Sequence, residues 1–134
     1  INIYGYKALN LFLDKKYYEA DKIFKLQTEY ILKNISIKTS ENYNALAKVC
    51  KNNNIKLIAM QYPVRSIKPL KEMLKDVDEI TFISNEENFK KALQTHKPEE
   101  IFTDRFAGDF GHCTELGNTL IAENVAETIL KLYN

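Results

Sequence analysis

A chain of 134 residues, 45% hydrophobic and 28% charged, has the size and composition of one ordinary globular domain, or one domain with a small appendage. Its formal charge of +1 predicts no electrostatic attraction to nucleic acid or anionic membrane, and no apolar run approaches the roughly 20 residues that a membrane helix needs. Cys50 and Cys113 lie too far apart in sequence to form a disulfide framework, and His96 and His112 lack the close spacing of a zinc site, so neither a metal nor another cofactor is expected.

The first regime is helical and amphipathic, running from Tyr4 to about Lys33. Ala8, Leu11 and Phe12 fall on one face; after the polar turn Asp14-Lys15-Lys16, a second face carries Tyr17, Ala20, Phe24, Gln27 and Ile31. The small residues Ala8 and Ala20 allow two helices to approach closely. An ordinary helical hairpin accounts for this pattern. The spacing of Tyr17, Ala20 and Phe24 also resembles the "Y-x-x-A-x-x-x-F" of a tetratricopeptide repeat, a unit that normally comes in arrays because one copy cannot bury its own face.

From Thr39 the pattern alternates helix and strand. Ser40 is expected to cap a helix in which Tyr43, Leu46, Ala47 and Cys50 turn inward. "IKLIAMQYP" reads as a buried parallel strand ended by Pro63. A helix follows with Leu70, Met73 and Leu74 inward, then a strand in "DEITFIS" and a helix with Phe89, Ala92 and Leu93 inward. "EIFTD" is expected as a third short strand. The last helix, roughly Thr114 to Leu132, is expected to turn Leu120, Ile121, Val125, Ile129 and Leu132 toward the sheet. The predicted organisation is a helical hairpin over 1–36 and an α/β unit over 37–134.

In parallel α/β sheets the ligand site lies outside the carboxyl ends of the strands. Three loops meet there: "QYPVRS", "SNEEN" and "DRFAGDFGH". The last is chemically the richest, because Gly108, Gly111 and Gly117, three of the chain's four glycines, surround Asp109 and His112. An Asp three residues before a His can accept a hydrogen bond from one imidazole nitrogen and leave the other as a base. For an isolated D-x-x-H the competing reading is structural: Asp109 closes a turn and His112 caps the helix. Arg65 is either a contact for an anionic substrate group or a surface arginine, and Asp104 and Arg105 are candidates for a surface ion pair.

The wider block "D-x-x-H-x-x-x-x-G-x-x-x-x-A", formed by Asp109, His112, Gly117 and Ala122, resembles the last block of the SGNH (GDSL-type) hydrolases, and "NNNIKLIAMQYPVR" resembles a late strand of that fold. Together these cover about Thr39 to Asn134. The resemblance implies the C-terminal half of a flavodoxin-like three-layer α/β/α sandwich, with His112 the catalytic base and Asp109 its orienting acid. It further implies a serine ester hydrolase acting on an ester or acyl substrate.

The family's early "G-D-S" or "G-E-S" block is not in these 134 residues, and Ser36, Ser40, Ser66 and Ser84 have no glycine beside them. Ser66 follows a strand within "YPVRS", with Pro69 soon after. The nucleophile is therefore expected in an N-terminal half of the same protein or in a second chain, pairing beside "IKLIAMQY", and the 134 residues alone are expected to be inactive. The alternative is a non-catalytic module in which the repeat-like hairpin recruits a partner and the hydrolase-like part is a scaffold.

Overall fold

A computed structural model describes residues 3–105 and 110–133 of the chain. Helix α1 (Ile3–Leu13) folds back on α2 (Tyr17–Lys33) through the expected turn, where Lys15 takes a left-handed φ of 61° and Lys16 N–H donates to the Leu11 carbonyl. Ala8 and Ala20 are fully buried between the helices, together with Leu9, Phe12, Phe24 and Gln27. Tyr17 packs its edge on Phe12 at 4.9 Å.

Helix α3 spans Ile37–Asn52. It starts three residues before the expected Ser40, because Ser36 is extended and its Oγ accepts the Thr39 N–H, the geometry of an N-cap. Ser40 lies inside the helix and donates instead to the Met73 carbonyl at 2.7 Å. Then follow β1 (Leu57–Met60), α4 (Lys68–Met73), β2 (Ile80–Ile83), α5 (Glu86–Thr95), the single turn α6 (Pro98–Ile101) and α7 (Glu115–Tyr133). The strands pair in parallel, Leu57 opposite Ile80 and Met60 opposite Ile83. One sheet face (Leu57, Ala59, Ile80, Phe82) packs on Ala47 of α3 and on Leu70 and Leu74 beneath α4. The architecture among the described residues is thus helix-rich α/β with a two-stranded parallel sheet. No helix among them is long and apolar enough to cross a membrane.

Three further sequence expectations are corrected. "EIFTD" is not a third strand: Pro98 opens a helical turn that Glu100 fastens by accepting the Lys97 N–H at 2.6 Å. Beyond it, Phe102 makes one antiparallel bridge, to Cys113. β1 is half-buried rather than buried, since it has one strand neighbour and Met60 is exposed. Tyr43 and Leu46 are exposed instead of inward, as are Ile129 and Leu132 of α7, and Cys50 is only half-buried, because the sheet ends before it can cover them. Tyr43 and Leu46, with Leu57, Ala59, Met60, Leu70 and Leu74, line an apolar groove alongside β1. Both cysteines are free thiols.

The larger core ignores the break between α2 and α3. Ala8, Leu9, Phe12, Ala20 and Phe24 of the hairpin form one cluster with Val64, Phe89, Leu93, Ile101, Phe102 and Phe110. Lys90 of α5 reinforces the contact. Its buried ammonium lies 2.9 Å from Glu86 and 3.6 Å from Asp21 of α2, and 4.6 Å from the Phe24 ring centre.

Candidate active site

The carboxyl ends of the two strands are tied by backbone bonds: Gln61 N–H donates to the Ile83 carbonyl and Val64 N–H to that of Asn85. Val64 is 1% exposed and has a φ of 56°, a conformation that a β-branched residue adopts only when its surroundings impose it. Asn85 is wholly buried. Its Nδ2 donates to the Gln61 carbonyl, and its Oδ1 accepts from Asn124 at 2.8 Å and from Asn88 at 3.3 Å. Asn88 also donates to the Leu120 carbonyl. This amide network is not legible in the sequence, because an asparagine in "SNEEN" reads as turn chemistry until α7 brings Asn124 alongside.

The third loop is held against this edge. The Phe102–Cys113 bridge is continued by Thr103 N–H donating to the His112 carbonyl at 2.8 Å and Thr114 N–H to that of Ile101 at 3.0 Å. Phe110 is buried, stacked on Tyr62 with centroids 4.7 Å apart, and the Arg65 guanidinium lies 4.9 Å from its ring centre. The loop bearing His112 therefore meets the "QYPVRS" loop, as expected. Asp109 and Gly108 lie outside the described residues.

His112 does not cap α7. Thr114 does: its Oγ accepts the Gly117 N–H at 3.2 Å and donates to the Glu100 carbonyl at 2.6 Å. The His112 imidazole is instead paired with Asp104. Nδ1 lies 2.6 Å from Asp104 Oδ2, and the His112 backbone N–H donates to Oδ1 at 2.8 Å. Both side chains are open to solvent, 78% and 52% exposed. The ring hydrogen bond from His112, followed by the backbone one, holds the Asp104 carboxyl below the ordinary carboxylate range. Arg105 turns away to Asn10 Oδ1 at 3.1 Å and lies over Tyr6.

Gly111 serves close approach, since a Cβ there would overlap the Asp104 backbone carbonyl. Gly117 likewise lets α7 sit against the Ile101 carbonyl and Cys113. Burial pushes the Cys113 thiol up, away from nucleophilic use.

Each serine has a local engagement. Ser36 caps α3, Ser40 binds the Met73 carbonyl, Ser66 Oγ accepts the Lys68 N–H, and Ser84 Oγ accepts the Glu86 N–H. Ser66 lines a groove with Phe24, Glu86 and Lys90. Among the described residues, no three His, Cys, Asp or Glu side chains gather as metal ligands. No family model, curated protein or solved structure matches the chain.

Proposed function

We propose that the chain supplies the acid–base half of a serine ester hydrolase site of the SGNH type, with His112 as base and a carboxylate of its own loop orienting it, the role that the D-x-x-H motif gives to Asp109. One observation carries this reading: the His112 imidazole is held by a carboxylate on the loop whose Phe110 stacks on Tyr62 beyond β1, while Thr114 performs the capping that would otherwise explain a histidine here.

In the reaction, a serine Oγ attacks the ester carbonyl carbon and its proton passes to His112 Nε2. The tetrahedral intermediate collapses, breaking the C–O bond to the alcohol, and His112 returns the proton to the departing oxygen. Water repeats the sequence on the acyl-serine and regenerates the hydroxyl. Arg65, beside the loop, meets an anionic group of the substrate. The substrate class is a carbohydrate ester or a lipid ester, and no cofactor takes part.

The local engagement of the four serines supports a nucleophile from elsewhere, and the apolar groove alongside β1 supports a strand from that polypeptide docking there. The completed sheet would be the flavodoxin-like sandwich. A purified chain tested on short activated esters shows no turnover that depends on His112. Co-expression with the upstream polypeptide of its gene yields turnover that His112→Ala lowers by roughly three orders of magnitude or more. Unchanged turnover in that variant removes the catalytic reading and leaves the helical-repeat interaction module. Activity of the chain alone that is lost in His112→Ala would make Ser66 the nucleophile.

A further inference from the structure

We infer that Asp104, five residues before the aspartate of the motif, is the positioning residue of His112, holding its imidazole as the Nδ1–H tautomer with Nε2 left as the free acceptor. As a statement about function this rests on the reading of His112 as a base; as a statement about the imidazole it stands on geometry alone. One carboxylate grips one residue twice, Oδ1 on the backbone N–H at 2.8 Å and Oδ2 on ring Nδ1 at 2.6 Å. An ionised carboxylate has no proton to give, so the hydrogen between Oδ2 and Nδ1 belongs to the ring. Nδ1 carries a single N–H, and once it is directed to Asp104 it is not available to Asp109.

The fold explains why these two residues meet. The antiparallel bridge between Phe102 and Cys113 places Thr103 against His112 and Asp104 against Gly111. Thr103 fixes the His112 carbonyl through its N–H and its Oγ, and Asp104 fixes the N–H and the ring. The register needs the main chains closer than a side chain at 111 allows, and Gly111 permits that. Phe110, buried under Tyr62 and Arg65, anchors the loop segment that carries Gly111 and His112.

The test is the tautomer of His112, read from ring ¹⁵N shifts of the labelled 134-residue chain at about pH 9, where an ordinary imidazole is neutral. The expected result is one dominant tautomer, protonated at Nδ1, in the parent chain and in Asp109→Asn, and its loss in Asp104→Asn. The opposite pattern, loss in Asp109→Asn and retention in Asp104→Asn, overturns the assignment. If Asp104→Asn also perturbs the amides of Phe102, Thr103 and Cys113, the carboxyl ¹³C titration in His112→Ala decides. The Asp104 midpoint then moves upward; an unmoved Asp104 overturns the proposal. Turnover separates the two readings. If the tautomer follows Asp104 while His112→Ala leaves the reconstituted activity intact, the hydrolase reading falls and this one stands. If His112→Ala abolishes activity while the tautomer follows Asp109, the reverse holds.

Discussion

Phe110 stacks on Tyr62 at 4.7 Å with the ring planes 18° apart, and this contact joins the loop of His112 to the end of β1. Phe110 is 9% exposed and Tyr62 63% exposed, so the two rings do not contribute equally. Phe110→Ala is expected to cost about 3 kcal/mol, the low end for a buried phenylalanine. Tyr62→Ala is expected to cost under about 1 kcal/mol, because most of its surface already faces water. Urea unfolding of the two variants measures both, and equal losses would contradict the packing.

Thr114→Ala and His112→Ala separate the cap from the base. Removing the Thr114 hydroxyl frees the Gly117 N–H and the Glu100 carbonyl, and loss of an N-cap typically costs about 1 kcal/mol. The exposed His112 side chain leaves no cavity when truncated, so its replacement stays within about 0.5 kcal/mol. Thermal and urea midpoints of the pair give the comparison; a larger loss for His112→Ala would return it to a structural role.

Gly117→Ala sets two effects against each other. In an open helix the change gains roughly 0.5–1 kcal/mol. Here the new Cβ overlaps the Ile101 backbone carbonyl and comes within 2.9 Å of Cys113 Cβ, and overpacking of that kind costs roughly 1–3 kcal/mol. The neighbour is backbone and cannot swing aside, so the steric cost wins and the variant is less stable by urea midpoint.

Asp104 gives the fold a dependence on acid. Its carboxyl titrates below the ordinary value in the folded chain because His112 donates to it. The stabilisation is therefore fully present above the unfolded carboxylate pKa of about 3.9 and is lost as pH falls through the lower folded value. The stability difference between the parent chain and Asp104→Asn should shrink steadily as unfolding is followed from about pH 5 down to pH 2. A difference independent of pH would mean that the ring contact is not made in solution.

The hairpin was legible because apolar residues recur at helical spacing on both sides of Asp14-Lys15-Lys16, and local periodicity is enough to define two short helices. The inward face of α5 was legible for the same reason, and strand β2 as a short apolar run bounded by polar residues. The supposed third strand was not, since "EIF" is apolar enough for a strand while the deciding groups are Pro98 and the Glu100 carboxylate folding back on Lys97. Ser40 has the residue type of a cap ahead of an apolar-periodic run, but it lies inside the helix, where it and Asn44 both donate to the Met73 carbonyl, a long-range contact that local pattern does not reveal. The partner of His112 was hidden for a different reason. Local spacing points to Asp109, which lies outside the described residues, whereas Asp104 is brought to His112 by a bridge between chain segments eleven residues apart.

The hairpin, with its face of Ala8, Phe12, Ala20 and Phe24, is no detachable handle. Those residues share a cluster with Phe89 and Phe110, and Lys90 reaches across to Asp21. Cutting the chain between residues 36 and 37 would divide that cluster, leaving Lys90 without one of its acids and part of the apolar surface open to water. Any lineage that exchanged this hairpin for another would have to transplant its inner face intact, while exposed Tyr18 and Leu26 on the outside could drift without disturbing how His112 is presented.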